Sequence, residues 1–176
     1  QVTGVFERVL FGDILIRDSK KNIHLIPLVK LCQQDLHYLQ YRVHPKMKID
    51  MVRSRRKQPD MEWTIPEDFT TLYTCTVKLE KKSVFACKDK LTLELYIIAE
   101  EVDGDNYILI RRDTSKFIFP EDQKSTYEFS VKDIPVRRYR SWGEEPFSRG
   151  ATYLGYLISV IDSRGQLVAY ETDLSH

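Results

Sequence analysis

Residues 154–170 read LGYLISVIDSRGQLVAY, and this stretch has the pattern of a strong β-hairpin. Two runs rich in Leu, Ile, Val and Tyr flank the polar segment Asp162-Ser163-Arg164-Gly165. Runs of this length and composition favour β-strands, and a short segment with Asp and Gly between them favours a tight turn. We therefore expect a β-hairpin at this end of the chain.

The same pattern extends towards the N-terminus from this hairpin. Residues 74–79 and 127–131 alternate between polar and apolar side chains, which predicts strands with one exposed and one buried face. Turn-forming residues cluster at 103–106, 119–122 and 162–165. Six strands at this spacing indicate an immunoglobulin-like β-sandwich over residues 66–176. The predicted strands are 72–78, 91–99, 107–113, 126–134, 153–162 and 167–172.

The first part of the chain has shorter runs. Residues 4–11, 14–17 and 23–27 are β-branched or aromatic in character, and Gly12-Asp13 and residues 18–22 separate them. This pattern predicts a meander of three antiparallel strands. Apolar residues then recur at spacings of three and four from Leu28 to Leu39, which predicts a short helix. The expected fold is all-β with a short helix, a small β-meander followed by the β-sandwich.

The motif that follows the meander resembles a known family. Ile26-Pro27-Leu28-x-x-Leu31 and Asp35-x-x-Tyr38-Leu39, coming after three strands, are similar to the small SH3-like homology domain first described in a eukaryotic endocytic actin adaptor. That domain also recurs in bacterial exported and envelope proteins, usually with unknown function. The resemblance implies an SH3-like domain over residues 1–45. The eukaryotic domain binds short Asn-Pro-Phe peptides, and no peptide-contacting residue maps onto a position in this chain.

Charge is distributed unevenly along the chain. Residues 46–60 carry six Lys or Arg against two Asp or Glu, whereas residues 61–176 carry 15 against 20. The basic segment has no sustained apolar period and is bracketed by Pro45 and Pro66. This composition predicts a solvated linker over residues 46–65 between the two domains. With a sequence pI near 7.9 and no extended basic face, nucleic acid is not an expected partner.

Catalytic and metal-binding motifs are absent from the sequence. No zinc-protease, nucleophile-elbow, phosphate-binding or paired-cysteine motif occurs. The carboxylate pairs at 100–101, 103–105, 121–122 and 144–145 suit turns better than calcium ligation. We therefore expect no enzyme activity, no cofactor and no bound metal. The four histidines are predicted to be structural or surface residues: His24, His37, His44 and His176.

Cysteine usage leaves two alternatives open. Three cysteines at irregular spacing are too few for a disulfide-rich scaffold. Cys75 and Cys87 flank a turn-like stretch, so they form either one disulfide in an oxidising compartment or two buried free thiols.

Residues 136–147 are the segment with the composition of a binding surface. They combine arginines, two glutamates and three aromatic side chains with Gly and Pro, which predicts a loop between two strands. Arginine and aromatic residues are enriched at binding hot spots. The alternative is that Trp142 and Phe147 plug the end of the sandwich. The predicted partner-binding residues are Arg137, Arg138, Tyr139, Arg140, Trp142 and Phe147.

These features favour a non-enzymatic protein-binding or assembly module. We expect a protein partner or self-assembly in a bacterial cell envelope, with a periplasmic, outer-membrane-associated or extracellular location. The chain opens at Gln1 without a leader, so we expect a fragment or a mature form. Two alternatives stay open: an adhesin or pilus-type subunit, and a carbohydrate-binding or hydrolytic enzyme that uses acidic loops.

Overall fold

The computed structural model describes residues 4–10, 13–44, 46–59, 68–82, 87–120, 125–140 and 147–174. In these ranges the chain forms ten strands, a 3₁₀ turn at Leu28–Lys30 and the helix α1 (Gln33–Arg42). The predicted all-β class with one short helix is confirmed. The strands are β1 (Gly4–Leu10), β2 (Asp13–Asp18), β3 (Ile23–Pro27), β4 (Met47–Pro59), β5 (Phe69–Lys81), β6 (Leu91–Glu101), β7 (Tyr107–Phe117), β8 (Thr126–Arg140), β9 (Ser148–Ile161) and β10 (Leu167–Thr172).

The larger sheet has the order β4-β5-β8-β9-β6-β7, with β10 paired to β9. The first residues of β9 pair with β8 and the remainder pair with β6, so the sheet folds over at β9 and its two halves pack as a β-sandwich. Tyr73 of β5 stacks on Tyr153 of β9 at 5.0 Å between ring centroids. Phe117 of β7 stacks on Tyr127 of β8 at 4.2 Å. Aromatic contacts of this kind join the two halves across the core.

The core follows from the two-residue period of the strands. Every second residue of β5 and β6 is buried, because successive side chains point to opposite faces of a sheet. The apolar residues of β6 that face inward are completely buried, and they form the centre of the sandwich. They are Leu91, Leu93, Leu95, Ile97 and Ala99.

All six strands predicted for the second part of the chain are present as β5 to β10, but the linker prediction is wrong for residues 47–59. Those residues form β4, which pairs with β5 along its whole length, from Met47 opposite Lys81 to Pro59 opposite Phe69. As an edge strand, β4 needs apolar side chains only where the other half of the sandwich covers it. The strand therefore carries no continuous apolar alternation, and its many charged residues make the sequence resemble a solvated linker. The predicted domain division itself stays a prediction.

The three-stranded sheet has the order β1-β2-β3, as the sequence predicts. Asp18 closes the turn after β2, because its Oδ1 accepts the backbone N–H groups of Lys20 and Asn22, both at 2.8 Å. Helix α1 begins after Cys32, whose Sγ accepts the backbone N–H of Asp35 at 3.4 Å. We call β1, β2, β3 and α1 together the small unit.

Of the two cysteine alternatives, the structure has the free thiols. Cys75 lies on β5 and Cys87 precedes β6, and both are buried without a disulfide. Burial raises the pKa of the Cys75 thiol to about 11 and also raises the pKa of Cys87. Both groups therefore stay protonated at neutral pH and behave as small apolar side chains.

Candidate functional site

The segment predicted as a binding loop is, in its first part, a strand. Residues 136–140 complete β8, so the loop prediction is wrong for them. Their backbone groups pair with β5 and β9. Because backbone pairing needs no particular side chains, a strand end rich in Arg can have the composition of a loop. Trp142, the predicted anchor, lies outside the described residues. Phe147 directly precedes β9.

Strand geometry divides the predicted binding residues between two faces of β8. Arg137 and Tyr139 share one face, and Arg138 and Arg140 share the other, because side chains alternate along a strand. Tyr139 lies opposite Arg149 in the β8–β9 register. This pairing brings Arg149, which the sequence analysis missed, to the first face. The sequence does contain one indication of this position. Arg149 follows Phe147 by two residues, and residues two apart in an extended chain point to the same side.

These side chains line a groove of about 590 Å³ where β8, β9 and the turn between β6 and β7 meet. The backbone N–H of Val102 donates to the carbonyl oxygen of Gly150 at 3.1 Å and fastens the β6–β7 turn to β9. We call this surface the corner groove. It is defined by two arginines, two aromatic residues, two acidic residues and two isoleucines: Arg137, Arg149, Tyr139, Phe147, Glu101, Asp103, Ile108 and Ile110.

Each arginine of the corner groove lies against an aromatic ring. The Arg137 guanidinium carbon is 5.2 Å from the ring centroid of Tyr139, and the Arg149 guanidinium carbon is 4.5 Å from that of Phe147. A guanidinium held against a ring has fewer orientations to lose when it binds a carboxylate. Tyr139 and Phe147 remain 36% and 47% exposed, so a partner has apolar surface to cover.

Gly150 makes the close approach of β8 and β9 possible. Its φ of +105° lies in the region that side chains disfavour. A Cβ at this position would meet the backbone carbonyl of Arg137. Glycine at residue 150 therefore lets the strand cross between the two halves of the sandwich and present Arg149 to the groove.

The acidic residues beside the groove serve a turn, as the sequence predicts for residues 103–106. Glu101 accepts a hydrogen bond from Asn106 Nδ2 at 2.6 Å, and its backbone N–H donates to the Asn106 carbonyl at 2.9 Å. Asp103 has a φ of +56°, typical of a turn residue. The pairs at 121–122 and 144–145 lie outside the described residues.

A second polar cluster joins three distant segments. His44, Asp89 and Asp162 each place one side-chain ligand atom within 4.8 Å of the others. The His44 Nε2 lies 3.0 Å from Asp162 Oδ2 and 2.9 Å from an Arg164 guanidinium nitrogen. Arg164 itself binds Asp162 at 2.7 Å and so supplies the positive charge of the cluster. The arrangement holds the chain after α1 against the β9–β10 turn, which is a structural role.

Asp162 organises this cluster as a buried acceptor. Burial raises the pKa of its carboxyl, but hydrogen bonds from the Gln166 and Arg164 backbone and the Arg164 side chain outweigh burial and lower it to about 2. Asp162 is therefore ionised at neutral pH, and its Oδ1 accepts the N–H groups of Arg164 and Gln166 at 2.9 and 2.7 Å.

The remaining histidines have local partners or lie outside the description. His24 Nε2 is 2.9 Å from Asp18 Oδ2, and the rings of His37 and Tyr41 are 4.9 Å apart. His176 lies outside the described residues. These contacts do not bring His24 or His37 into a cluster with other ligand residues within the part of the chain that the structure describes.

A larger groove of about 1250 Å³ lies between the small sheet and α1, and its surface is about equally polar and apolar. Its apolar side chains include Phe6, Ile14, Ile16 and Leu39. The polar groups beside them, such as His24 and Asp35, already have partners within the small unit. The groove therefore offers apolar surface beside two polar groups, His24 and Asp35, that are already hydrogen-bonded within the small unit.

Comparison with known proteins shows no family for the chain, and the structural likenesses are distant. No family model and no curated protein matches it. A solved structure from Akkermansia muciniphila is 14% identical over 76% of this chain and 74% of its own, with a TM-score of 0.35. A Northeast Structural Genomics Consortium target is 12% identical over 73% and 86%, with a TM-score of 0.29. Likenesses at this level do not bear on fold or function.

In the described ranges, α1 has ten residues, and no helix there has the length and apolar character to cross a bilayer.

Proposed function

We propose that the chain is a non-enzymatic protein-binding or assembly module and that the corner groove is its partner surface. The observation that carries the proposal is the pairing of each groove arginine with an exposed aromatic ring, Arg137 with Tyr139 and Arg149 with Phe147. Aromatic and Arg side chains together are the residue types that dominate binding energy at protein interfaces. A partner for this groove combines apolar side chains with carboxylates.

The geometry also supports selectivity. Glu101 and Asp103 border the same groove as the arginines, so it presents both signs of charge over a short distance. A partner therefore needs its carboxylates placed against the arginines, because carboxylates placed against Glu101 or Asp103 meet repulsion. Trp142, Arg138 and Arg140 stay predicted partner-binding residues, with Arg138 and Arg140 on the opposite face of β8.

The compartment in this proposal rests on the N-terminal resemblance. The SH3-like homology domain recurs in bacterial exported and envelope proteins, and residues 26–39 carry its Pro-Leu-x-x-Leu and Asp-x-x-Tyr-Leu steps. We therefore propose a bacterial envelope or extracytoplasmic setting and an immunoglobulin-like type for the sandwich. Adhesin, pilus-subunit and hydrolase functions are weaker candidates, because no contact in the described residues favours them.

Site-specific photocrosslinking in the producing cell tests this proposal. A photoreactive amino acid replaces Tyr139 in the corner groove, and in a matched variant it replaces Tyr170, which is 65% exposed on β10. We expect one discrete adduct from position 139, with a second protein or a second copy of the chain, and none from position 170. Arg149→Glu should abolish the adduct while leaving the melting temperature unchanged. Equal adducts from both positions, or none from position 139, would refute the proposal.

A further inference from the structure

Strand β4 has one unpaired edge within the residues that the structure describes. One side of β4 pairs with β5 over all 13 residues, and no strand in the described part of the chain pairs with the other side. Residues 52–58 are all exposed. An open strand edge presents a row of backbone N–H and C=O groups that can pair with another extended chain.

The two halves of β4 differ on the face that points into the sandwich. Met47, Ile49 and Met51 pack against the core. The next residues on the same face are Arg53 and, further on, Arg55 and Lys57, since they lie opposite the buried face of β5. The inner row of β4 therefore changes from apolar to cationic after Met51.

Aromatic rings support two of these three cations. The Arg53 guanidinium carbon lies 4.0 Å from the ring centroid of Tyr153, and Lys57 Nζ lies 4.5 Å from that of Phe69. Within the described ranges, none of the three cations of the row lies within 4.0 Å of a carboxylate. The cations of β4 that form ion pairs lie on its opposite face. Lys48 pairs with Asp50 at 2.8 Å, and Arg56 pairs with Asp133 at 2.9 Å.

We propose that the β4 edge over residues 52–58 binds an extended acidic segment of a partner protein as an added strand. Side chains directly opposite each other on paired strands lie about 5 Å apart and repeat every second residue. Acidic residues at alternate positions of the added strand therefore face Arg53, Arg55 and Lys57. The backbone pairing supplies the register, and the charges select the sequence.

The charges of β4 favour an acidic strand over a second copy of this chain at its edge. Two copies of the chain paired over residues 52–58 would place Arg55 opposite its own counterpart and Arg53 opposite Lys57, and like charges directly opposite are destabilising. An acidic strand instead neutralises all three. This site is separate from the corner groove, which lies at the β8–β9 crossing, so either proposal can fail without the other.

The probe is a fluorescent heptapeptide in which Glu alternates with Val and Thr, titrated against the whole chain by fluorescence anisotropy. A second peptide of the same sequence carries N-methyl groups on alternate backbone amides and cannot complete the strand pairing. We expect the first peptide to bind with salt-sensitive affinity and the N-methylated peptide to bind about tenfold more weakly or worse.

Charge reversal on the protein supplies the matched comparison. Arg55→Glu/Lys57→Glu should weaken peptide binding about tenfold or more. Lys116→Glu/Lys132→Glu makes the same change in net charge at exposed positions of β7 and β8 and should change binding by less than about twofold. Far-UV circular dichroism and melting curves establish that both variants are folded.

Three results would overturn the proposal. Equal binding of the two peptides would show a charge contact without strand addition. Equal losses from both double variants would show a general charge effect. Tighter binding of single-stranded DNA than of the peptide, lost in Arg55→Glu/Lys57→Glu, would identify a nucleic-acid surface instead.

Discussion

The small unit and the sandwich are both built on β-sheets, but they bury very different numbers of apolar side chains. In the described residues, the core of the sandwich comprises 18 buried hydrophobic side chains, whereas the small unit has Ile14, Leu15 and Leu39. Hydrophobic burial is the dominant stabilising contribution in folding, so most of the folding free energy resides in the sandwich.

Polar contacts join the small unit and the segment after α1 to the sandwich. The backbone N–H of Lys88 donates to the Gln40 carbonyl at 3.1 Å, and His44 contacts Asp162. Contacts of this kind contribute about 1 kcal/mol each. We therefore expect the small unit to open locally while the sandwich stays folded.

The largest expected effect comes from the centre of the sandwich. Leu95 is fully buried on β6, and Leu95→Ala should lower the free energy of unfolding by about 2–5 kcal/mol, because it leaves a cavity. Urea denaturation followed by circular dichroism measures the loss. Leu109→Ala, at a side chain 57% exposed on β7, is the control and should cost less than about 1 kcal/mol.

The same comparison extends to the small unit. Leu39→Ala should increase amide hydrogen exchange in α1 and the small sheet while leaving protection in β6 unchanged. Equal loss of protection in both regions would mean that the two unfold as one cooperative unit, and the proposed difference between them would be wrong.

Alanine substitutions at two glycines test whether the close approach of β8 and β9 requires glycine at residue 150. Gly150→Ala should cost about 2–3 kcal/mol, because the new Cβ meets the Arg137 backbone carbonyl and φ is positive. Gly165→Ala shares the positive φ but has no atom within 4 Å of the new Cβ, so its cost should be about 1 kcal/mol. Melting curves of the two variants compare them directly; equal destabilisation would mean that strand proximity at Gly150 does not matter.

The stability that the Asp162 cluster contributes to the fold should depend on pH. The pKa of Asp162 is lowered to about 2 in the folded chain, below the value near 3.9 of an unfolded chain. The ionised carboxylate therefore stabilises the fold fully above pH 4, and this contribution is lost as pH falls from about 4 towards 2. Unfolding free energies measured across this range should show the decline.

Asp162→Asn provides the matched variant for this pH effect. It should remove the acid-sensitive contribution and cost about 1–3 kcal/mol at neutral pH, since buried donors lose a charged acceptor. Hydrogen exchange should rise in α1 as well, because His44 Nε2 loses its carboxylate partner at Asp162. An unchanged pH profile in this variant would contradict the assignment.

The smallest expected change in stability is confined to the small unit. Cys32 caps α1 with a sulfur that accepts the Asp35 N–H at 3.4 Å. Cys32→Ser replaces it with a stronger acceptor and should slow hydrogen exchange in α1, equivalent to about 0.5 kcal/mol. Exchange in the sandwich should not change. Faster exchange in α1 would show that the sulfur cap is the better one at this site.

The corner groove illustrates how much of the site was predictable. Composition alone singled out Arg137, Tyr139 and Phe147, because arginine and aromatic residues stand together between predicted strands. Arg149 joins the groove through the β8–β9 register, which places it opposite Tyr139, whereas the division of Arg138 from Arg137 follows from side-chain alternation once residues 136–140 are a strand. Sequence position alone does not carry that register.

Local sequence determined where most strands, the turns and the helix lie. Period-two alternation in residues 74–79 and 127–131, turn residues at 162–165 and the Pro27-to-Leu39 helix pattern are local signals, and local backbone preference and burial act over such distances. Tertiary structure alone decided that residues 47–59 are a strand. With three core-facing apolar residues and an exposed cationic half, β4 gains its structure from pairing with β5 and not from its own pattern. The crossing at Gly150 and the His44–Asp162 junction likewise join residues that only the folded chain brings together, because their energies come from contacts between segments distant in sequence.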